Sequence, residues 1–557
     1  MSQFKKIATG TVGMTLAASM LLSACTSNKS NSPSDKQYDQ KGTASGPVTL
    51  SMFMVPSAKI EDLSTNGFTK LLEEKLNVKF KFEVTPEAGA NDRKQLLLAS
   101  GDYPAVLFPS TYGSLTPVEQ FKYGKQGVLI PLNDLIDKYG DNIKKAMQVR
   151  PSLKQEITTP DGKIYALPSV NECFHCMYPE KLWINAEWLK KLNLKMPTTT
   201  DELYTVLKAF KTQDPNGNGK QDEVPLSGAG GAGTEMYKYD VTGFLMNAFI
   251  YNNNIDYFYM KNGKVGLSAA QPEWRKGLEY MNKLYKEGLI DPASFTQNQD
   301  ALSQLGNKAG DNILGSVTTL HIGVAVSNKP GQTRHKEYDT VPPITGPDGY
   351  KSAGYYDSVG NGQFAITNKA TEEQKIAAIK LANYLYSEEG SVGSEYGPEG
   401  TWWRKGEQGE VDEKGRPARR FLKPEALGYQ TQNVTWGQIG PLFRPRDLRE
   451  SWAVPQDPKA DNGYEHRLYL ETKKYEGNEP KENFPLNLFY DDKDSSEIAQ
   501  LKPQIVNYVR TNMVQFISGS KKLDDAEWNA YIKGFEGLKL NRYLEINQKA
   551  YDSTYKK

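Results

Sequence analysis

Alternating helical and strand periods in the first hundred residues restrict the fold of this chain more than any other feature. Residues 48–55 form a strand-like apolar run closed by Pro56, 68–76 carry helical spacing, and 78–84 alternate apolar with polar side chains. Residues 92–99 are helical again and stop at Ser100-Gly101-Asp102, ahead of a short apolar run at 105–108. Periods of two and of 3.6 taking turns spell βαβαβ, which builds a mainly parallel sheet covered by helices.

The rest of the 557 residues is too long for one core, so two large lobes are expected. The extended run 163–168, stopped by Pro168, reads as a crossing into a helix-rich second body (186–192, 201–211 and 274–287). Strand character returns at 313–326, breaks at Pro342-Pro343 and Gly346-Pro347, and resumes at 363–367 before an amphipathic helix at 372–387. These returns predict lobes that are each discontinuous in sequence: 47–163 plus about 312–362, and 164–311 plus about 363–557.

Composition is that of a globular body, 38% hydrophobic and 24% charged, with 32 Tyr and 8 Trp supplying stacking surfaces. The net charge of +1 argues against nucleic acid, which needs a clustered basic excess. Lys5 and Lys6 precede an interrupted apolar stretch that is too short to span a bilayer and reads as an export signal, residues 1–24. Its end, Leu22-Ser23-Ala24-Cys25, resembles the lipobox of bacterial lipoproteins, which implies lipidation of Cys25. Residues 25–46 carry almost no apolar side chain and read as a flexible tether. Together with abundant lysine and only three cysteines, this predicts a monomer anchored by lipid to the outer face of a Gram-positive cell membrane.

The stretch Lys181-Leu-Trp-Ile-Asn-Ala-Glu-Trp-Leu, running on to Tyr204, resembles a signature of extracellular solute-binding proteins of ABC importers. It is most similar to the large lipoprotein group that includes alginate-binding and plant-polysaccharide oligosaccharide binders. Ala99-Ser-Gly-Asp-Tyr-Pro104, Tyr396-Gly-Pro-Glu-Gly400 and Phe516-Ile-Ser-Gly519, followed by Trp528 and Tyr531, resemble further motifs of that group, although Tyr103 and Ala105 depart from the usual loop. The resemblance implies an α/β two-lobe periplasmic-binding-protein-like (type II) fold, each lobe a mixed, mainly parallel sheet flanked by helices. It also implies an oligosaccharide ligand, neutral or acidic, delivered to ABC permease subunits without chemistry. A secreted polysaccharide lyase or hydrolase, a peptide binder of the same fold and a sensory role are the alternatives. No nucleophile elbow, zincin helix or P-loop is present in the sequence. In the signature stretch Thr199 and Glu202 form a capping-box pattern, and Leu203, Leu207 and Phe210 stripe one face of the helix that follows.

That helix leads into Asp214-Pro-Asn-Gly-Asn-Gly-Lys-Gln-Asp-Glu223. Asp214, Asn216, Asn218 and Asp222 stand at positions 1, 3, 5 and 9 of an EF-hand-like loop, with glycine at 6 and Lys220 offering its carbonyl at 7. Pro225 replaces the glutamate of position 12. In the alginate-binding relatives the residue after position 9 is a glutamate ligand, which Glu223 matches, so a structural Ca²⁺ is expected.

Sugars are held by aromatic faces and planar polar groups. Thr401-Trp402-Trp403-Arg404 is the leading candidate, because adjacent residues of an extended segment face opposite ways and both tryptophans cannot enter one core. Trp436, Tyr355-Tyr356-Asp357, Tyr165, Asn171-Glu172, Ser110 and Tyr112 are further candidates, each weighed against plain packing. Trp183, Trp188 and Trp528 read as core. Arg444, Arg446 and Arg449 would suit an acidic sugar or pair with neighbours such as Asp447 and Glu450. Cys173 and Cys176 flank His175 and read as two thiols or a local disulfide rather than a metal site.

Overall fold

The computed structural model describes residues 46–231, 236–356, 359–423 and 431–556. The leader, Cys25, the tether up to residue 45 and Asp357 lie outside the described residues. No described helix is long and apolar enough to cross a membrane.

The first three strands form as their periods require: β1 (Val48–Met54), β2 (Val78–Val84) and β3 (Val106–Phe108), all parallel, with β1 in the middle. The helix between β1 and β2, Gly67–Leu76, starts where the Asn66 side chain accepts the Phe68 N–H and ends at Asn77 in the left-handed region. Beyond β3 the sheet continues with strands brought from far along the chain. β4 (Leu167–Asn171) and β10 (Val359–Ile366) pair antiparallel, and β13 (Phe443–Arg444) lies parallel to β4. The order is β13-β4-β10-β3-β1-β2, with β10 the one reversed strand.

The second lobe is built on β5 (Leu182–Asn185), flanked antiparallel by β8 (Ser316–Thr318) and β9 (Tyr338–Val341). Val224 and Ser227 run parallel beside this sheet through bridges to Leu314 and Val317. A hairpin, β6 (Phe258–Lys261) with β7 (Lys264–Leu267), packs under the C-terminal helices Asp492–Ser518, Asp525–Gly537 and Leu540–Tyr555. A second hairpin, β11 (Trp403–Lys405) with β12 (Arg420–Leu422), stands beside the first sheet.

The two lobes follow strand pairing rather than the boundaries expected from the sequence. β8 and β9 fall within 312–362, yet pair with β5 of the second lobe. β10 continues to Ile366 and pairs with β3, and the helix Glu372–Leu385 packs on β1, so this part of 363–557 completes the first lobe. The first crossing also comes later, after β4 and not at residue 163. The cause is non-local: the partner of each short strand sits a hundred or more residues away, and composition does not encode it.

Local capping differs in one detail. Thr199 Oγ1 accepts the Glu202 N–H (3.2 Å), but the Glu202 carboxylate reaches back one residue further, to the Thr198 N–H (2.7 Å). Trp183, Trp188 and Trp528 are buried as expected.

Candidate functional site

The site lies where the lobes face each other. On the first lobe, the helix Glu388–Tyr396 is tied to β13 by Ser391, whose hydroxyl donates to the Phe443 carbonyl (3.0 Å). Gly390 lets this helix start hard against the end of the preceding one, since a Cβ there would stand 1.9 Å from the Tyr384 carbonyl oxygen. On the second lobe, the helix Tyr464–Lys473 is tied to β9 by Glu471, which accepts from the Thr340 N–H (2.6 Å). Between them is a cavity of about 150 Å³, lined in part by Glu395, Tyr396, Arg449, Trp452, Glu465 and His466.

One wall is aromatic. The Trp452 ring lies 4.9 Å from that of Tyr396 and 6.3 Å from that of Trp403, and the Arg420 guanidinium sits over both tryptophans at 5.3 and 5.8 Å. The floor is a chain of charges that passes from one lobe to the other. Arg444 pairs with Glu395, both nearly sealed from water. Arg449 stands 3.9 Å from Glu395 and 3.8 Å from Glu465, and Glu465 meets His175 at 3.5 Å. The Glu465 side chain, which lines the cavity, stays 60% accessible. Enclosure by the walls pushes its pKa up, but the hydrogen bond and charge of His175, and then the charge of Arg449, outweigh this and hold it at about 2. Burial lowers the His175 pKa, more than the hydrogen bond and charge of Glu465 raise it.

All four histidines of the chain gather around the first turn of the helix Tyr464–Lys473. Tyr464 Oη accepts the Gly323 N–H (2.7 Å), leaving its own hydrogen for His321 Nδ1 (2.9 Å). Arg467 donates to the ring and the carbonyl of His335. Burial first, then His175 beside His321 and Arg467 beside His335, lower both imidazoles to about 4. These groups are neutral when folded and titrate near 6.5 when unfolded, so their stabilisation is complete above pH 6.5 and is lost as pH falls toward 4. By pH 5 the buried His335 alone is expected to cost about 2 kcal/mol. Thermal melts should therefore fall steadily between pH 7 and 5, and His335→Gln should flatten that slope. A melting temperature constant over this range would contradict the assignment.

The residues named from sequence divide sharply. Trp403 packs edge-on against Trp452 but does not itself line the cavity, and Trp402 is half-buried beside it. Arg404 is held in a bidentate pair with Glu410 (2.9 and 2.6 Å) over the Phe421 ring, so it is a hairpin brace and not a free hand for ligand. Trp436 is a core residue: it is fully buried among Phe68, Phe80, Phe82 and Phe108, and its Nε1 donates to Thr69 (2.8 Å). Tyr165 is likewise buried, covering Gly124 and donating to Asp161 (2.9 Å). Tyr356 is buried with its hydroxyl on Glu180 (3.3 Å), and Tyr355 packs on Tyr178 (5.2 Å). Glu172 accepts the Arg446 N–H (2.8 Å), which fixes it at the lobe crossing beside Asn171. Ser110 caps a turn by accepting the Tyr112 N–H (3.4 Å), and Tyr112 is exposed at the carboxyl end of β3. Among the arginines, Arg446 is taken by Glu450 and Glu476, while Asp447 is taken by Arg416 and Arg419 instead.

Trp452, Glu465, His466 and Glu395 were not singled out by sequence, and Tyr396 appeared only within a motif. Trp452 sits in Ser-Trp-Ala-Val-Pro, which reads as a packed segment. The signal available was the neighbourhood of Glu465 and His466, which holds a scarce residue type. Cys173 and Cys176 are joined in a disulfide, so neither sulfur offers a thiolate to a metal with His175.

The loop 214–223 folds as its spacing requires. Asp214 accepts the N–H groups of Gly217, Asn218 and Gly219 (2.9–3.1 Å), Asn216 that of Asn218 and Asn218 that of Lys220. Gly219 takes φ +74°, the bend that position 6 needs. Pro225 ends the loop without an exit helix, and the chain passes instead into the bridge at Leu226. Glu223 is the telling residue. It is 9% exposed, and neither carboxylate oxygen has a hydrogen-bond partner of good geometry. Burial raises its pKa, and Asp214 and Asp222 raise it further, more than the nearby N–H groups of Glu223 and Asn216 lower it. A buried, unpaired carboxylate beside two more is a set of hard oxygen donors that fits a divalent cation of the calcium type.

Comparison with known proteins agrees with this architecture. Residues 61–392 match the family model described as bacterial extracellular solute-binding protein. The fructooligosaccharide ABC transporter substrate-binding protein FusA of Streptococcus pneumoniae serotype 4 is 28% identical over 568 residues, covering 99% of this chain and 98% of FusA. The structure of an EF-hand mutant of S. pneumoniae FusA with fructo-nystose superposes with a TM-score of 0.72 at 26% identity, covering 91% of this chain and 99% of that one. An HMO-binding, ABC-transporter-associated solute-binding protein of Bifidobacterium longum infantis gives 0.75 at 26% identity, covering 92% and 100%. With two lobes, a cleft between them and a family model matched across both, the chain belongs to the bacterial extracellular solute-binding proteins.

Proposed function

We propose that this protein captures oligosaccharides in the cleft between its lobes and hands them, chemically intact, to the permease of an ABC importer. The observation that carries this reading is the wall of Tyr396 and Trp452, backed by Trp403, standing over the charged floor. Aromatic faces suit the C–H side of a sugar ring, and fixed carboxylates and guanidinium groups suit its hydroxyls. Because wall and floor come from both lobes, a bound sugar would favour the closed arrangement, the state that a transporter reads. The fructooligosaccharide and HMO ligands of FusA and of the Bifidobacterium protein support this substrate class.

Titration of tryptophan fluorescence and calorimetry with fructan and other plant oligosaccharides tests the reading. Binding without product after prolonged incubation is expected, and Trp452→Ala should weaken it about tenfold or more by removing a stacking face worth about 1.4 kcal/mol. Product formation, or full affinity in Trp452→Ala, would reject it.

The same reading includes a structural Ca²⁺ held by Asp214, Asn216, Asn218, Asp222, Glu223 and the carbonyl of Lys220. The ion would neutralise the three carboxylates and pin the loop; it has no part in the cleft. Support comes from the orphaned Glu223 and from the EF-hand spoken of in the FusA structure. Lipidation at Cys25, attachment to the outer face of a Gram-positive membrane and a monomeric state complete the proposal, supported by the lipobox-like tetrapeptide and the long polar tether.

A further inference from the structure

We propose that the cleft selects uncharged oligosaccharides and rejects those bearing uronic acids, with Glu465 as the residue that sets this preference. The inference rests on the reading of the cavity as the sugar site, and deepens it. Its basis is how the charges of the cavity are already spent.

A uronate is recognised by a cation free to take it, above all a guanidinium fork. The cavity holds three permanent cations against four carboxylates. Arg444 is locked to Glu395, with its other nitrogen donating to Gln438 (2.9 Å). Arg449 is shared between Glu395 and Glu465. Lys423 donates to the Gly400 carbonyl. Among the described residues lining the cavity, no arginine is without a carboxylate neighbour. The remaining carboxylates, Glu410 and Glu413, are held by Arg404 and His466.

What remains accessible in the cleft is therefore a carboxylate, with the Lys423 ammonium on a backbone carbonyl and no uncommitted guanidinium fork among the described lining residues. Glu465 projects its charge into the solvent space, 60% accessible, from the first turn of its helix. Its oxygens accept well from sugar hydroxyls, and its charge repels a carboxylate brought alongside. Removing that charge would do two things at once: end the repulsion, and leave Arg449 with only Glu395, whose two oxygens Arg444 and Gln438 already engage.

The test is calorimetry of the wild type and of Glu465→Gln with two sets of ligands: neutral oligosaccharides (fructan, xylan and galactan fragments) and trigalacturonate, at 20 mM and 200 mM salt. Wild type is expected to bind a neutral ligand at least tenfold more tightly than trigalacturonate, with the gap narrowing at high salt as repulsion is screened. Glu465→Gln should weaken neutral binding and strengthen trigalacturonate binding, shrinking the ratio several-fold. Thermal melts check that the variant is folded, and the wild-type ratio alone decides the question if it is not. Trigalacturonate bound as tightly as any neutral ligand, or more so, overturns the selectivity while leaving the sugar-binding reading intact. Silence with both sets overturns the reading itself and the selectivity with it.

Discussion

Replacing Trp436 with alanine is expected to lower the unfolding free energy of the first lobe by about 3–5 kcal/mol, the cost of emptying a large aromatic site in a packed core. Trp436 is completely buried, with four phenylalanine rings edge-on at 5.5–6.3 Å and its single polar atom satisfied by Thr69. The ring also pins a segment distant in sequence: the Gly67 and Phe68 N–H groups donate to the Asn433 and Val434 carbonyls at the start of the helix Gly67–Leu76. Alanine would leave a void there and strand the Thr69 hydroxyl. Urea unfolding monitored by circular dichroism should show an earlier transition, read for this lobe separately if the two lobes melt apart. Sugar affinity under native conditions should be unchanged. Trp452→Ala is the contrasting variant, since its half-buried ring stands on the cavity wall: affinity should fall and the transition should barely move. If Trp436→Ala kept wild-type stability but lost ligand, the assignment of the two tryptophans would have to be exchanged.

That pair shows where sequence reading ends. Trp436 lies in a turn-rich stretch and Trp452 in one that reads as packed, and nothing adjacent to either tells core from cleft. Burial of Trp436 is decided by Phe68, Phe80, Phe82 and Phe108, which the fold brings from more than 300 residues away. β1, β2 and β3 were legible because their periods are local and their partners adjacent. β10 and β13 were not placed correctly, because a strand that ends in the first sheet and one that ends in the second carry the same short apolar signature. The cleft was half legible for the same reason. A local argument about neighbours in an extended segment reached Trp403, which packs behind Trp452, whereas Glu465 and Trp452 acquire their places only when two lobes meet. The cation loop stood at the other extreme, since all its oxygen donors lie within ten consecutive residues and their spacing alone describes the fold they take.

Calcium should raise the thermal stability of this protein by roughly 5–10 °C, taking an ion supplied at about a hundred times its dissociation constant and the per-kcal shift of a domain of this size. The argument turns on Glu223. Its folded pKa is raised above the ordinary carboxylate value by burial, Asp214 and Asp222. A raised carboxylate makes the folded state bind protons more tightly, so without the ion stability falls as pH rises through that window, and at neutral pH the loop carries an uncompensated cost. Calcium removes the cost by taking the place of the proton, so its effect should be greatest at neutral pH and shrink as acid restores the proton. Glu223→Gln separates the two contributions: in chelator it should melt above the wild type, because the repulsion is gone, and it should gain little from added Ca²⁺, because a ligand charge is gone. Asp214→Asn should lose the calcium response as well, and with it the anchor for three N–H groups of the turn. Scanning calorimetry of all three proteins in EDTA and in 2 mM Ca²⁺ provides the measurement. Identical wild-type melts in the two buffers, or a full calcium shift in Glu223→Gln, would mean that the loop holds its shape by hydrogen bonds alone and that the buried carboxylate is answered by something other than a cation.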